Sequence, residues 1–564
     1  MSARLVRPDS PADNERLACE TSAVVSQSSA TRTSTGQFSV AEVMAGVDLT
    51  GNVADLVSAA ASRGPEHPAF VEAGNQLAVS WAQANAAVDA EAARLVSAGV
   101  RPGDRVLVRL PQSIPLCLAQ LGALRAGAIM VPASTQSAER ELALIVADCA
   151  PAAVVAEPDD EVAARAAGSA TVLGPPMLDA VPAAASLVQP SVAPSVARGG
   201  EDIAVLGYTS GSTGAPRGVR LSHRALLANR AQIGALRPSP ISPADRVLLH
   251  LPLFHIYGLG AGLLQICWAG ATAVLVDRVD PDAVVAAIHR ERVTVVAGVP
   301  SMYRALLELP PASLRDRLVS VRLCTAGGAP LAPELLRRFH EVTGLELFEG
   351  YGLTETAPVL TSTLVGGWAK PGSVGRPLPG VQLRLVDADG RLRADEPDAG
   401  DEDGLEGSDD EHDTGLVAVR GPNLFSGYWP DGADGPDEEG WFRTSDVGYL
   451  DADGDLHLVN RANDLIIVNG FNVYPREVEN VLTEHPAVAE AAVVGVPDER
   501  TGEAVLAVLV RRAGAELTTE QVRAHCATRL ARFKIPSVVE FADRLPRSAT
   551  GKITRFALRS ARRP

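Results

Sequence analysis

A glycine-rich segment, YTSGSTGAPRGV (residues 208–219), follows the apolar run at residues 203–206. Glycines let backbone amides approach a ligand closely, and serine and threonine hydroxyls add donors, so this composition suits an anion with many oxygens, such as a phosphate. The spacing does not match the P-loop pattern, because no Lys-Ser or Lys-Thr pair follows the glycines. Taken alone, such a segment is also typical of a solvated loop, and other segments must decide between the two interpretations.

Three further segments carry chemically capable residues: YGLTETAP (351–358), GWFRTSDVGYLDADGDLHLVNRANDLIIVNGFNVYPREVE (440–479) and RSATGKITR (547–555). In this order, and together with the glycine-rich segment, they resemble the adenylate-forming superfamily of acyl-CoA synthetases, luciferases and adenylation domains. The resemblance extends from about residue 50 to 560. It implies ATP, Mg²⁺ and CoA as cofactors, and a carboxylic acid that is activated to acyl-AMP and then transferred to a thiol. No acid/base pair is needed, because charge gathers on phosphate oxygens.

The resemblance implies which residues hold the nucleotide. Those implied for ATP or AMP binding are Thr209, Ser210, Gly211, Ser212, Thr213, Gly214, Arg217, Gly327, Gly328, Ala329, Gly350, Tyr351, Gly352, Asp446 and Arg461. Tyr351 offers an aromatic face to adenine, and Asp446 with Arg461 is implied to bind the ribose. The family usually has lysine at the position of Arg217. A planar guanidinium there keeps the charge but changes the geometry, so we expect altered pyrophosphate handling.

The candidate catalytic residues are Lys552, Thr354, Glu355 and His255. The resemblance implies that Lys552 contacts the α-phosphate and the substrate carboxylate, and leaves when the C-terminal domain rotates. Glu355 is a hard carboxylate suited to Mg²⁺, and Thr354 offers a hydroxyl to a phosphate oxygen. The hinge corresponds to Asn463, where the family usually has Asp or Lys. Asparagine tolerates left-handed backbone conformations, so we still expect the hinge to move.

The residues implied for acyl binding are His255, Tyr257, Gly258 and Ala326. No aspartate lies near PLFHIYGL (252–259) to hold an amino group, which favours a carboxylic acid without an α-amine. Small residues leave room for an aliphatic tail, so a medium- or long-chain fatty acid is predicted, with an aryl acid as the alternative. His255 is interpreted as a wall or gate of the pocket. A general base is the other interpretation, although no orienting carboxylate accompanies it.

The thiol acceptor is predicted to be CoA. Gly470, Phe471 and Asn472 belong to a loop that resembles the one lining the pantetheine tunnel of CoA-using members. The alternative is a fatty acyl-AMP ligase that loads an acyl carrier protein, but the insertion usual in those enzymes is not evident. A non-catalytic nucleotide sensor is disfavoured because Glu355 and Lys552 are both present.

The elements that must position these residues follow an α/β pattern. Helical and short apolar strand patterns alternate from about residue 53 to 309, which predicts mainly parallel sheets covered by helices. After Gly380, short alternating strands with Asp-Gly turns predict an antiparallel or barrel-like subdomain. The last hundred residues read as a small mobile α+β domain. We therefore predict a disordered leader at 1–45, an AMP-binding domain at 46–462 and a C-terminal domain at 463–564.

Composition disfavours several partners. The formal net charge is −17, but residues 395–413 hold eleven acidic residues and no Lys or Arg, so this block reads as a disordered insertion. The sequence has no basic stripe that would indicate a nucleic-acid partner.

The six cysteines lack the spacing of a metal site or a disulfide framework, which fits a reducing cytoplasm. Residues 257–276 carry no charge, but glycines interrupt them, so a buried helix and strand is favoured over a membrane span. The oligomeric state is left open.

Overall fold

The computed structural model describes most of the chain between residues 47 and 560. The described residues are 47–75, 77–137, 139–177, 198–210, 216–276, 280–387, 390–391, 414–461, 466–468, 471–473, 475–498, 502–530, 534–547 and 553–560. The predicted leader at 1–45 and the acidic insertion at 395–413 lie outside them.

The described strands and helices alternate through the first two thirds of the chain. The strands are β1 (Pro68–Glu72), β2 (Ala78–Ser80), β3 (Arg105–Arg109), β4 (Ile129–Pro132), β5 (Ala153–Ala156), β6 (Thr171–Leu173), β7 (Ile203–Ser210), β8 (Pro216–Ser222), β9 (Arg246–Leu249), β10 (Thr272–Leu275), β11 (Val295–Gly298), β12 (Leu323–Ala326), β13 (Leu347–Gly352), β14 (Val359–Ser362), β15 (Arg376–Pro377), β16 (Gln382–Val386), β17 (Gly415–Arg420), β18 (Phe442–Leu450), β19 (Leu456–Arg461), β20 (Ile466–Val468), β21 (Phe471–Val473), β22 (Val488–Asp498), β23 (Gly502–Arg511) and β24 (Val538–Phe541). The α-helices are α1 (Asp55–Arg63), α2 (Trp81–Ser97), α3 (Ile114–Arg125), α4 (Glu139–Cys149), α5 (Glu161–Ala166), α6 (His223–Gly234), α7 (Gln265–Ala269), α8 (Pro281–Glu291), α9 (Pro300–Leu306), α10 (Pro311–Arg317), α11 (Pro333–Thr343), α12 (Pro475–Thr483), α13 (Thr519–Ala527) and α14 (Arg555–Ser560). A π-helix covers Tyr257–Leu264, and a 3₁₀ helix covers Thr354–Thr356.

Two large sheets build the first part of the molecule. One has the strand order β6-β5-β3-β4-β7-β8, parallel except for the β7–β8 hairpin. The other has the order β15-β14-β13-β12-β11-β9-β10-β1-β2, with antiparallel pairing only at its two edges. Their central strands are almost continuously buried, as expected of parallel strands covered on both faces. The predicted mixed α/β class is confirmed.

Local signals set where the helices begin. Ser80 opens α2 with a capping box, in which its side chain accepts from the Gln83 amide and the Gln83 side chain accepts from the Ser80 amide. Ser222 caps α6 in the same way through the amide of Ala225. Asp280 caps α8, and Pro281 occupies its first turn.

Two smaller antiparallel sheets follow. Strands β16-β17-β18-β19 form a sheet that is open, because the two end strands do not pair among the described residues; the prediction of an antiparallel region holds, without a closed barrel. The last sheet has the order β21-β20-β23-β22, with β24 added in parallel to β23. Val478, Val493 and Leu509 belong to a hydrophobic cluster of its own, as expected of an α+β unit.

Residues 257–276 form a buried helix followed by a strand, as predicted. The π-helix continues into α7, which ends at Gly270 with φ +71°, and β10 follows. The positive φ of Gly270 lets the chain turn sharply into the sheet. Among the described helices, none has both the length and the apolar character needed to cross a bilayer.

Candidate active site

A cleft of about 2790 Å³ opens at the carboxyl ends of β12 and β13. In open α/β sheets this is the edge at which ligands bind. The cleft brings together many of the predicted site residues that the structure describes. Those that line it are Thr209, Arg217, His255, Tyr257, Ala326, Gly327, Gly328, Ala329, Gly350, Tyr351, Gly352, Thr354, Glu355 and Asp446.

The predicted nucleobase slot follows directly after β12. Gly328 has φ +78°, a conformation that favours glycine. A Cβ atom on Gly327 would lie 3.2 Å from Cζ of Tyr257 and 3.3 Å from the carbonyl oxygen of Gly350. The absence of a side chain at Gly327 therefore allows this segment to lie close to β13.

The predicted ribose site is prepared by a hydrogen bond between two distant segments. The Tyr351 hydroxyl donates to Oδ2 of Asp446 at 2.6 Å. Asp446 is 6% exposed and lies in β18, where it pairs with Arg461 of β19. The carboxylate is thus held at the cleft beside the ring that is predicted to contact adenine. The Arg461 side chain lies outside the described residues.

The two ends of the glycine-rich segment lie in the antiparallel strands β7 and β8, in which Thr209 pairs with Arg217. Gly211, Ser212, Thr213 and Gly214 lie outside the described residues, as does the side chain of Ser210. The hairpin packs on the 3₁₀ helix, because a Cβ atom on Gly207 would lie 2.9 Å from Cγ2 of Thr354. The predicted phosphate-binding segment and the predicted metal-binding segment are therefore neighbours.

Arg217 is held at the rim of the cleft. Its guanidinium carbon lies 3.6 Å from the ring centroid of Tyr428, and the guanidinium forms an ion pair with Asp434. Both charged side chains are substantially exposed, so the pair contributes little stability, whereas the stacking orients the guanidinium plane. Its predicted contact with phosphate stays a prediction.

Tyr428 also contacts Glu355, the predicted Mg²⁺ ligand. Its hydroxyl donates to Oε1 of Glu355 at 2.8 Å. Burial and the neighbouring Glu355 charge raise the pKa of Tyr428 well above its ordinary value, so the hydroxyl stays protonated and remains a donor. Sequence reasoning missed Tyr428. The aromatic pair in SGYWP (426–430) was its only signal, and it does not reveal the partner.

His255 and Tyr257 form one wall of the cleft. The Tyr257 amide donates to Nδ1 of His255 at 3.2 Å, so the neutral ring carries its proton on Nε2. A ring in this tautomer cannot accept a proton at Nε2, which supports the wall or gate interpretation over a general base. Gly258, also predicted for acyl binding, is not among the residues that line the cleft, and a Cβ atom there would lie 2.3 Å from the Pro252 carbonyl oxygen.

Glu349 is a buried acid at the cleft that sequence reasoning did not identify. It is 3% exposed, and burial raises its pKa to about 8, although the positive charge of Arg476 and the Leu331 amide oppose that rise. Its signal was an acidic residue inside the otherwise apolar start of LFEGYG (347–352).

Several predicted residues of the last segment lie outside the described part of the chain. These are Lys552, Asn463 and Gly470, together with the side chains of Phe471 and Asn472. The residues that follow Lys552 in sequence, Ile553 and Thr554, do line the cleft.

One group of acids resembles a cation site, but a lysine ammonium group already lies among its carboxylates. Asp451, Asp453 and Asp455 hold oxygens close enough to share an ion. The ammonium group of Lys370 lies 2.6, 3.1 and 3.2 Å from their three carboxylates. This cluster therefore stabilises the antiparallel sheet.

Comparison with known proteins gives two family matches along the chain. The family described as AMP-binding enzyme matches residues 57–429, and the AMP-binding enzyme C-terminal domain matches residues 477–552. A feruloyl-CoA synthase from Amycolatopsis sp is 38% identical over 488 residues, which are 86% of this chain and 94% of that protein. A long-chain-fatty-acid–CoA ligase from Bacillus subtilis is 38% identical over 360 residues, 63% of this chain and 61% of that protein. ATP-bound MatB from Rhodopseudomonas palustris superposes with a TM-score of 0.80 and 32% identity, over 90% of this chain and 98% of that one.

Proposed function

This chain belongs to the AMP-binding enzyme family and is an acid–thiol ligase, and we propose that it activates a medium- or long-chain fatty acid as acyl-AMP and transfers the acyl group to CoA. In the first step a carboxylate oxygen attacks the α-phosphorus of ATP, and the bond to pyrophosphate breaks. In the second step the thiol sulfur attacks the acyl carbon and AMP leaves. A free carboxylate is a poor electrophile, and this exchange supplies the leaving group that it lacks.

One observation carries the proposal. Residues from four separated segments line the same cleft: Thr209 from the glycine-rich hairpin, Gly327 from the slot after β12, Glu355 from the 3₁₀ helix and Asp446 from β18. Each offers the chemistry that one part of ATP requires, namely hydroxyl donors, close backbone approach, a hard carboxylate and an acceptor for ribose hydroxyls. The transition state needs such preorganised partners more than it needs an acid/base pair.

Glu355 and Thr354 fit a Mg²⁺ ion bound with the triphosphate. The Glu355 carboxylate lines the cleft. The Tyr428 hydroxyl that donates to it is neutral, so this contact leaves the negative charge of Glu355 available to a cation. When bound, Mg²⁺ would neutralise developing charge on the phosphate oxygens.

An apolar arm of the cleft supports a fatty acid as the substrate. We use this name for the part lined by Ile233, Leu236, Ile241, Val247, Val295 and Leu323. Burying an aliphatic tail there would contribute about 0.8 kcal/mol per CH₂ group. The Bacillus subtilis relative, a long-chain-fatty-acid–CoA ligase, supports the same assignment. An aryl acid is the second candidate, because the Amycolatopsis relative is a feruloyl-CoA synthase.

CoA is the proposed acceptor, in a two-domain cycle in which residues 463–564 rotate about Asn463. An acyl carrier protein is the alternative acceptor. A panel of acetate, octanoate, palmitate and benzoate, each with ATP, Mg²⁺ and CoA and with products identified by mass, tests both choices. Acyl-CoA from octanoate or palmitate is expected. Acyl-AMP without acyl-CoA for every acid would favour carrier loading, and ATP binding without acid-dependent pyrophosphate release would contradict the ligase assignment.

Lys552 is the proposed cation for the adenylation step alone. Lys552→Ala is expected to lower acyl-AMP formation by about 10²–10³-fold, because a donor aimed at developing phosphate charge is lost. Transfer of the acyl group from synthetic acyl-AMP to CoA should be retained. Pyrophosphate release and thioester formation are measured separately, and equal loss of both half-reactions would refute this role.

A further inference from the structure

The floor of the apolar arm is formed by one face of neighbouring strands. Val247, Val295 and Leu323 lie side by side in register on β9, β11 and β12. They form a deep row, and Ala297 with Thr325 forms the next row towards the nucleotide slot. Two residues along a strand span about 7 Å, so the deep row is about that far from Thr325.

Gln265 lines the same cleft as this deep row. It is the first residue of α7, directly after the π-helix that covers the same strands. The π-helix packs closely on β9, because a Cβ atom on Gly262 would lie 2.7 Å from Cδ1 of Leu249. Gln265 follows Gly262 by three residues, and Val247 precedes Leu249 by two, which brings Gln265 to the level of the deep row. Both Gln265 and Val247 line the cleft.

The amide oxygen of Gln265 is buried without a hydrogen-bond partner among the described residues. The residue is 3% exposed, and its Oε1 atom has no hydrogen-bond partner among the described residues. A buried polar group normally finds a partner, and leaving it unpaired is costly. An apolar chain end would leave this oxygen unpaired, whereas a hydroxyl group could donate a hydrogen bond to it.

We propose that Gln265 is a specificity-determining residue that hydrogen-bonds a hydroxyl group on the distal part of the acyl substrate. The preferred acid is then hydroxylated, with its hydroxyl several carbons from the carboxylate. This inference rests on the proposed function and narrows it. The same hydroxyl chemistry could come from an aliphatic ω-hydroxy acid or from a phenol, and these two sources are distinguished by experiment.

The test compares matched pairs of acids: octanoate with 8-hydroxyoctanoate, and cinnamate with 4-hydroxycinnamate. For each pair the ratio of kcat/KM is measured by pyrophosphate release with ATP and Mg²⁺. A site that hydrogen-bonds a substrate hydroxyl discriminates against the analogue that lacks it. We expect a ratio of about 10 or more in favour of the hydroxylated acid in at least one pair, and that pair identifies the source. Gln265→Leu should bring the ratio to about 1 or below while the unsubstituted acid is still activated.

Gln120→Leu is the matched control. Gln120 is also a buried glutamine whose Oε1 has no partner among the described residues, but it does not line the cleft. Its substitution should leave the ratio unchanged. No preference for either hydroxylated acid in the wild-type protein, or a preference that survives Gln265→Leu, overturns the inference.

A direct binding measurement separates this inference from the proposed function. Titration calorimetry of each acid with the intact protein in the presence of AMP measures the preference even where no product forms. Preferential binding of a hydroxylated acid without pyrophosphate release would keep the role of Gln265 and contradict the ligase assignment. Turnover of all four acids without preference would keep the ligase assignment and contradict the role of Gln265.

Discussion

Glu355 depends for its orientation on contacts with a segment 70 to 73 residues further along the chain. The Tyr428 hydroxyl donates to its carboxylate at 2.8 Å, and its own carbonyl oxygen accepts from the Phe425 amide at 2.9 Å. Groups that orient a metal-binding side chain commonly change metal affinity or activity by 10- to 100-fold when removed. Tyr428 is therefore a positioning residue for the proposed Mg²⁺ site.

Tyr428→Phe removes this hydroxyl but keeps the ring on which Arg217 stacks. We expect the Mg²⁺ concentration that gives half-maximal pyrophosphate release to rise about tenfold. Tyr449→Phe is the control, since Tyr449 also lines the cleft but stacks on His457 with a centroid distance of 4.7 Å. An unchanged Mg²⁺ dependence in Tyr428→Phe, or the same rise in both variants, would contradict the assignment.

The turn between β13 and β14 is the element that delivers Thr354 and Glu355 to the cleft. Gly352 ends β13, and the Leu353 amide donates to the Pro358 carbonyl oxygen at 3.1 Å, which closes the turn around the 3₁₀ helix. A Cβ atom on Gly352 would lie 1.8 Å from that same oxygen. The turn therefore tolerates no side chain at this position.

Gly352→Ala should damage both stability and activity, because the backbone at Pro358 must shift to make room. Forcing atoms into a packed site typically costs about 1–3 kcal/mol, and the displaced turn would misplace Glu355 as well. Thermal unfolding and pyrophosphate release are measured together. Gly74→Ala is the control, because nothing lies within 4 Å of the added atom. A Gly352→Ala protein with wild-type stability and rate would show that the turn is more adaptable than its geometry indicates.

At the scale of the whole molecule, buried histidines should make the fold sensitive to acid. Burial lowers the pKa of both His223 and His250 to about 4 from 6.5. An unfolded chain binds these protons from about pH 6.5 downwards and the folded protein only near pH 4, so stability falls as the pH falls through this window. Each histidine contributes about 1.4 kcal/mol per pH unit. Glu349 has the opposite effect. Because its pKa is raised to about 8 in the folded protein, its contribution to stability increases as the pH falls from about 8 to 4.5.

His250→Leu isolates one part of this dependence. Both ring nitrogens of His250 lack a hydrogen-bond partner among the described residues, so leucine breaks no bond there. The free energy of unfolding of the variant relative to the wild type should increase by about 2 kcal/mol between pH 6.5 and 5. Urea unfolding at the two pH values measures it. The exposed His289→Leu serves as control, and an equal change in both variants would exclude burial of His250 as the cause.

The acidic block at 395–413 is predicted to be dispensable. Its residues contribute eleven negative charges but none of the proposed catalytic groups. Deleting it should leave turnover with ATP, CoA and the preferred acid unchanged, because the block supplies no group to the proposed reaction. A large fall in kcat at an unchanged melting temperature would mean that the block takes part in the reaction.

The class of the fold followed from the sequence alone, and so did the proposal for most of the nucleotide site. The signals used are local: alternating helical and strand patterns, Asp-Gly turns and capping residues. They can therefore be recognised without knowledge of the packing. The motif YGLTE and the aspartate of RTSD could be assigned because each carries its residues within a few positions. Arg217 and Asn463 were seen as departures from the family pattern, but their consequences could not be derived from residue type alone.

Only the tertiary structure decided which groups meet. The bond from Tyr428 to Glu355 spans 73 positions, and the one from Tyr351 to Asp446 spans 95. That Gln265 lines the cleft and Gly258 does not depends on how the π-helix packs on β9. Such contacts follow from the way the elements pack against one another. No local sequence pattern encodes the register of that packing or which faces of the elements meet.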